Sequence, residues 1–287
     1  MPQAKSNGIE LEYDTFGQES DPPLLLIMGF SAQMTAWDEA FCRKIADQGF
    51  HVIRFDNRDV GLSSRIEGEP DLAALFSGDT SSAPYSLDDM ADDAAGLLDA
   101  LGLPAAHIVG ASMGGMIAQT FAIRHPEKTL SLCSIMSTTG DLEVGQGTPE
   151  ALGALMAPPA TNREEAIERG VNAGRIISSK KHFDEAKAAK RAGEAYDRAF
   201  DPKGVQRQLA AILSQKNRTA DLAKVAAPTL VIHGAGDPLV TPSGGEATAK
   251  AIPGAELRVF EDMGHDLPEP LWPEIVDAIV ANARRAS

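Results

Sequence analysis

The stretch that decides the fold covers residues 109–119 and reads VGASMGGMIAQ. It surrounds one serine, Ser112, with three glycines: Gly110, Gly114 and Gly115. The apolar run before the serine predicts a buried strand, and the residues after it predict a helix. A glycine inside a regular element costs about 0.5–1 kcal/mol relative to alanine. We therefore expect this junction to need the space or the backbone freedom that glycine provides.

Composition limits the classes of partner that the chain can have. The chain has 287 residues, 43% of them hydrophobic, which suits a large α/β domain with a substantial core. Lys plus Arg is 26 and Asp plus Glu is 41, so the formal net charge is −15. An acidic surface repels phosphate groups, so we expect neither nucleic-acid binding nor attraction to anionic membranes. The sequence leaves the oligomeric state open between a monomer and a homodimer.

The sequence has no sign of membrane insertion, disulfide bonding or metal binding. It begins without an apolar run of the signal-peptide type, and no stretch approaches the ~20 apolar residues of a membrane span. The predicted location is therefore the cytoplasm. Cys42 falls in a predicted helix and Cys133 in a predicted buried strand, and we expect both to be reduced. Without a metal-ligand cluster or a phosphate-binding glycine loop, we expect no metal and no organic cofactor.

Short apolar runs alternate with helical patterns along most of the chain. The runs predicted as strands cover residues 24–28, 51–56, 106–111, 130–136, 228–234 and 255–261, and the alternating segment 8–17 predicts an antiparallel edge strand. Helices are predicted at residues 35–48, 86–103, 113–124, 244–251 and 270–285. In the second of these, Ser86 followed by Asp89 has the spacing of a capping box. This alternation predicts an α/β fold whose mostly parallel sheet is covered by helices on both faces.

Residues 141–218 interrupt this alternation. They contain no clear strand, are rich in Ala, Lys, Arg and Glu, and predict three or more helices. We interpret residues 141–218 as a helical cap inserted over the edge of the sheet. The core of the fold is then formed by residues 1–140 and 219–287.

Residues 110–114 have the form G-x-S-x-G between a strand and a helix, which is the setting of a nucleophile elbow. In such an elbow Ser112 stands in a strained turn, and the residues two positions to either side must lack bulk. The start of the helix offers backbone N–H groups and a field that favours developing negative charge. The alternative is a plain strand-to-helix turn in which the serine only caps the helix.

A serine nucleophile needs a base, and the base needs an acid. His265 is the leading base because it follows the last predicted strand, and loops at the carboxyl ends of strands form the ligand crevice of such sheets. Asp237 is the leading acid, and Asp141 is the alternative. Asp266 adjoins the histidine in sequence, which disfavours it. His51, His107 and His125 are predicted to be structural, His182 lies in the region inserted between strands, and His233 is a candidate pocket residue.

These residues resemble the α/β-hydrolase fold superfamily over nearly the whole chain. The resemblance is carried by GASMG, GAGDPLV and MGHDLP, with Ser112, Asp237 and His265 in the family's order. The segment FDNRDVGLSS, residues 55–64, is similar to the family's D-x-R-G-x-G-x-S, with Asp59 where glycine is more usual. This version resembles a carboxylesterase and methylesterase branch that includes the anthracycline methylesterases.

A second departure from the family pattern lies after the first central parallel strand. The family usually has His-Gly there, and this chain has Met28 followed by Gly29. The resemblance implies that the backbone N–H groups of Phe30 and Met113 form the oxyanion hole. Main-chain donors do not depend on a histidine side chain, so the implied mechanism survives the substitution. What the chain loses is any help from the imidazole in ordering this loop.

The residues and the resemblance together predict a serine hydrolase. Ser112 attacks an ester carbonyl, His265 takes its proton, Asp237 orients the imidazole, and water then hydrolyses the acyl-enzyme. The expected substrate is a small or medium apolar ester, including methyl esters of larger molecules. The candidate pocket residues, besides the two oxyanion positions, are Gly29, Trp37, Met136, Met156 and His233.

Other activities use the same three residues. A lactonase, a C–C bond hydrolase and a cofactor-free perhydrolase or haloperoxidase all remain alternatives, because they differ in the shape of the pocket. A non-catalytic ligand receptor on this fold is a further alternative.

Overall fold

A single sheet organises the molecule, which is described by a computed structural model covering residues 2–286. In these residues the eight strands are β1 (Gln3–Ser6), β2 (Ile9–Phe16), β3 (Pro23–Ile27), β4 (His51–Phe55), β5 (Ala106–Ala111), β6 (Thr129–Ile135), β7 (Thr229–Gly234) and β8 (Glu256–Phe260). Their order is β1-β2-β4-β3-β5-β6-β7-β8. The β1–β2 and β2–β4 pairs are antiparallel and the others parallel. The predicted mostly parallel sheet is confirmed.

Helices connect most of the strands. Within the described part of the chain the α-helices are α1 (Glu39–Ala46), α2 (Leu72–Phe76), α3 (Leu87–Ala100), α4 (Met113–Arg124), α5 (Pro149–Leu155), α6 (Arg163–Ile177), α7 (Glu185–Arg198), α8 (Pro202–Leu213), α9 (Thr219–Leu222), α10 (Pro242–Ala251) and α11 (Trp272–Arg284). Ser86 and Asp89 form the predicted capping box of α3. Across residues 2–286, none of the helices has the length and apolar character needed to cross a membrane.

The central strands bury both of their faces. On β3, Leu24 and Leu26 pack toward α1 and α11, whereas Leu25 and Ile27 pack toward α3 and α4. All four side chains are completely buried. Burying an aliphatic side chain of this size stabilises the fold by about 1.5–3 kcal/mol. The prediction of a sheet covered on both faces is therefore confirmed for its centre.

The two edges of the sheet differ from the prediction. The apolar run of β8 is not covered on both faces, because Leu257 is 38% and Val259 is 43% exposed. β8 is an edge strand that pairs only with β7, so that prediction was wrong for this strand. At the other edge, β1 was not predicted, and β2, which was predicted as the antiparallel edge strand, is antiparallel but pairs on both sides, with β1 and β4. The four residues of β1, QAKS, carry no apolar pattern and form a strand by pairing with β2.

Between β6 and β7 the described chain contains helices and no strand. Helices α5 to α8 lie in the region predicted as a cap. We use the word cap for residues 141–218, and these limits stay a prediction. Within the cap, Arg163 of α6 donates to the Asp197 carboxylate of α7 over 2.8 Å. Helix α8, the last helix of the cap, packs against the core, where its Ala211 is completely buried.

A buried ion pair joins α8 to the core. Arg207 donates through Nε and Nη2 to the two carboxylate oxygens of Asp59, at 2.9 and 2.7 Å. Asp59 has φ 68°, a left-handed conformation that suits the glycine more usual at this position. Removing one partner of such a pair leaves a buried charge and costs about 3–5 kcal/mol. The unusual aspartate thus supplies an anchor for the cap.

His107 at the start of β5 is a buried titratable group away from the serine. Its Nδ1 lies 2.9 Å from Ser131 Oγ, and its ring packs edge-on against Phe50. Burial lowers the pKa of His107 from 6.5 to about 4. The folded protein therefore resists protonation at a site where the unfolded chain accepts it.

This difference predicts a loss of stability in acid. The free energy of unfolding is expected to fall by up to about 3 kcal/mol on account of His107 as pH drops from 6.5 to about 4. His107→Asn keeps a polar partner for Ser131 and removes the titration. Urea denaturation at about pH 7 and about pH 4.5 should show a smaller acid loss in the variant than in the wild type. If the variant and the wild type lose the same free energy of unfolding in acid, His107 is not the group responsible.

Candidate active site

Ser112 stands in a crowded turn between β5 and α4. Its backbone has φ 57° and ψ −122°, and its side chain makes no capping hydrogen bond to the helix. A Cβ atom on Gly110 would lie 2.0 Å from Gly114 O, and one on Gly114 would lie 2.1 Å from Ile27 O. The glycines are needed because backbone atoms occupy the space of their missing side chains. The alternative of a serine that only caps the helix is excluded.

The structure brings Ser112, Asp237 and His265 together. His265 Nε2 lies 2.8 Å from Ser112 Oγ, and His265 Nδ1 lies 2.7 Å from Asp237 Oδ2. The Asp237 side chain is completely buried and that of His265 is 7% exposed. A carboxylate beside Nδ1 favours the tautomer that carries its proton there, which leaves Nε2 free to accept the serine proton.

The loop after β7, residues 235–240, holds Asp237 by its backbone. Asp237 Oδ1 accepts hydrogen bonds from the N–H groups of Leu239 and Val240, at 2.9 and 3.0 Å. His233 lies beneath this loop, where its Nε2 contacts Val240 O over 2.7 Å. Burial lowers the pKa of His233. His233 is completely buried and supports the loop, and its role as a pocket residue stays a prediction.

The loop after β8, residues 261–268, is tied to the cap. The N–H of His265 donates to Ile177 O at the end of α6, over 2.7 Å. Asp266 Oδ1 accepts from the N–H groups of Ser179 and Gly264, at 3.0 and 3.1 Å. Burial raises the pKa of Asp266. The side chain of Asp266 thus accepts from backbone N–H groups and, within the described residues, makes no hydrogen bond to the His265 ring. The sequence contained no signal that residues 177–179 would hold the loop that carries His265.

The other candidate acid takes no part in this arrangement. Asp141 is only partly buried, and its Oδ1 accepts from the N–H of Glu143 over 2.9 Å. Asp237, the leading candidate acid, is the one that contacts His265.

Two unpaired backbone donors flank the serine. A Cβ atom on Gly29 would lie 3.0 Å from Ser112 Cβ and 3.6 Å from its Oγ, so the loop after β3 (residues 28–33, the β3 loop) passes close to the hydroxyl. Within residues 2–286, the N–H groups of Phe30 and Met113 donate to no protein acceptor. Donors left free beside a nucleophile are suited to bind an oxyanion.

A cavity of about 420 Å³ lies between the cap and the core. Its wall reaches the β3 loop at Phe30 and Ser31 but does not include Ser112. Met156, which was predicted for the pocket, is part of the wall, together with Tyr196 and many alanines of α6 and α7. Small side chains on the cap helices leave the space open.

Two other predicted pocket residues lie elsewhere. Trp37 is 1% exposed and its ring stacks on Phe41 of α1, with ring centres 5.7 Å apart. Met136 follows β6 with φ 42° and packs in the same core layer. Neither side chain belongs to the wall of this cavity. Their role in the substrate pocket stays a prediction, because an apolar residue near a strand end has the same sequence signal in a core as in a pocket.

Both cysteines are free and buried. In the described residues, no group of three or more His, Cys, Asp or Glu side chains is arranged to hold a metal ion.

The fold and the serine site define a family. Residues 22–269 match the family model described as the alpha/beta hydrolase fold. The chain belongs to the α/β-hydrolase fold family, as the resemblance implied.

Relatives within this family have several named activities. The rhodomycin D methylesterase DauP of Streptomyces sp. strain C5 is 31% identical over 301 residues, with 97% of this chain and 96% of the relative covered. The 3-oxoadipate enol-lactonase 2 of Acinetobacter baylyi is 25% identical over 257 residues, with 88% and 85% covered. Among solved structures, the enol-lactonase from Burkholderia xenovorans LB400 has a TM-score of 0.78 at 22% identity, with 99% and 100% covered. That structural likeness shows the fold alone.

Proposed function

We propose that this chain is a serine hydrolase of carboxylic esters. Ser112 Oγ attacks the ester carbonyl while His265 Nε2 takes its proton, and Asp237 stabilises the imidazolium that forms. His265 then protonates the departing alcohol. In the second step His265 takes a proton from the water that attacks the acyl-enzyme, and it returns this proton to Ser112 Oγ as the acid leaves. The proposal is carried by one observation, the pair of hydrogen bonds from His265 to Ser112 and Asp237, at 2.8 and 2.7 Å.

The N–H groups of Phe30 and Met113 are the proposed oxyanion donors. The carbonyl oxygen gains negative charge as Ser112 attacks, and two preset donors stabilise it without reorganisation. Loss of one such donor raises the barrier by about 2.7–4 kcal/mol. The support is that both groups lack an acceptor among the residues that the structure describes, and that they lie beside Ser112.

The proposed substrate is an ester with a bulky, mainly apolar portion. The cavity of about 420 Å³ is large enough for a substantial group, and its wall ends at the β3 loop beside the serine. The chain's similarity to a rhodomycin D methylesterase supports a small alcohol, such as methanol, on a large acid. We infer that the large portion fills the cavity and that the alcohol lies near His265.

A lactone is the second candidate substrate. A lactone is a cyclic ester, so the same attack opens its ring, and the similarity to an enol-lactonase supports this candidate. The C–C hydrolase, perhydrolase and receptor alternatives have no specific feature of this site in their favour. Parallel assays with linear esters, lactones and peroxide would separate them.

Ester hydrolysis should depend on the three residues. With p-nitrophenyl esters from acetate to long chains, Ser112→Ala is expected to lower kcat/KM at least ~10³-fold. Asp237→Asn should lower it by about 10³–10⁴-fold, because the asparagine favours the wrong imidazole tautomer. Asp141→Asn is the matched control and should retain activity. A folded wild type that hydrolyses none of these esters or the matching methyl esters and lactones would contradict the proposal.

The cavity should control the size of the substrate. Ala173 of α6 lies in the cavity wall, so Ala173→Phe is expected to raise KM for bulky methyl esters by about 10-fold or more. Turnover of p-nitrophenyl acetate should change little, since the acetyl group does not need the cavity. The control is Ala186→Phe at an exposed position on α7. Equal effects of Ala173→Phe on small and bulky esters would indicate that the substrate binds elsewhere.

A further inference from the structure

A side chain of the cap holds the β3 loop beside the proposed oxyanion site. Gln208 of α8 accepts a hydrogen bond at Oε1 from the N–H of Ser31, over 2.9 Å. Earlier in the loop, Asn57 Nδ2 donates to Met28 O over 2.9 Å. The Ser31 contact is the one that adjoins Phe30, whose own N–H has no acceptor in the described part of the chain.

Both ends of the Gln208 amide are used. The side chain is completely buried, and its Nε2 donates to Arg58 O over 2.9 Å. The orientation of the amide is set by its partners, because the Ser31 N–H can only donate and the Arg58 carbonyl can only accept. Ser31 has φ 58°, a conformation that a serine rarely adopts unless its surroundings impose it. Gln208 is one of the groups that impose it.

The identity of residue 28 gives this contact its importance. Met28 is 9% exposed and packs in the core, and its side chain has no strong hydrogen-bonding group with which to order the loop. The family pattern usually has a histidine here. In this chain, side chains from elsewhere order the β3 loop, and Gln208 reaches it from 177 residues away.

We propose that Gln208 is a positioning residue for the oxyanion hole. By fixing the Ser31 N–H it fixes the peptide next to Phe30, so that the Phe30 N–H stays directed at the developing oxyanion. This inference rests on the proposed ester hydrolysis. It makes turnover depend on the contact between α8 and the β3 loop. Gln208 does not line the cavity, so substrate binding should depend on it much less than kcat does.

Gln208→Met tests the proposal, because methionine has a similar length and its sulfur is only a weak acceptor for the Ser31 N–H. With a p-nitrophenyl ester, kcat is expected to fall by about 10–100-fold, while KM changes by less than about 3-fold. The inhibition constant of phenylboronic acid, which forms a tetrahedral adduct on a serine, should rise with the loss in kcat. A variant that keeps kcat and boronate affinity within about 2-fold of the wild type would overturn the proposal.

A matched control separates positioning from seating of the cap. The variant Ala211→Gly removes a completely buried methyl group of the same helix, which packs in the core and does not line the cavity. It should lower the Tm and keep kcat. An equal fall in kcat in the control would overturn the role of Gln208. A wild type that neither hydrolyses esters nor binds the boronic acid would instead overturn the proposed function, and this inference with it.

Gln208→Glu keeps the proposal testable if the methionine variant does not fold. A carboxyl group donates to Arg58 O only when protonated. Once ionised it is repelled by that carbonyl oxygen, so the side chain loses the contact that holds it against Ser31. The ratio of its kcat to that of the wild type at the same pH is therefore expected to fall from mildly acidic to mildly alkaline pH. A ratio that does not change with pH would contradict the proposal.

Discussion

The close approach of α4 to the end of β3 is the constraint on which the rest of the site depends. Gly114 lies so near Ile27 O that a Cβ atom would stand 2.1 Å from it. This packing forces Ser112 into a positive φ and lifts its hydroxyl out of the helix-capping position. It also brings the β3 loop alongside the serine. One tight backbone contact thus places the hydroxyl, the free N–H of Met113 and the free N–H of Phe30 in one region.

The cap contributes to this region on two sides. At the end of α6, Ile177 O accepts from the backbone of His265, and Ser179 donates to Asp266. On α8, Gln208 holds Ser31. The loops that carry the proposed base and the proposed oxyanion donor are therefore both bonded to the cap. The sequence predicts the cap only as a cover over the sheet. In the fold, the cap also holds the loops that carry His265 and Phe30.

Much of the site could be predicted from sequence because its signals are local. Ser112 lies in a five-residue motif at a strand–helix junction, and His265 and Asp237 follow strands whose ends meet at one edge of the sheet. The supporting contacts lie outside local patterns, since Gln208 and Ser31 are 177 residues apart. For Trp37, which the fold places in the core, the sequence cannot separate a core position from a pocket position, because an apolar ring fits both.

The strands also differ in how well a local sequence pattern predicts their place in the sheet. Central strands such as β3 are apolar throughout because both faces are buried, and that pattern was predicted correctly. For β8, the sequence ELRVF has enough apolar residues to resemble a central strand, although its position at the edge leaves Leu257 and Val259 exposed. β1 is a strand only because β2 offers it hydrogen-bonding partners.

The measurement that tests the account most directly is labelling with a fluorophosphonate probe, followed by mass spectrometry of the peptides. A fluorophosphonate phosphonylates a serine that a neighbouring base has activated. The account predicts a single adduct per chain, on Ser112, that is lost in Ser112→Ala and strongly slowed in His265→Gln. A folded wild type that stays unlabelled, or that carries its adduct on another residue, would contradict the assignment of Ser112 as the nucleophile.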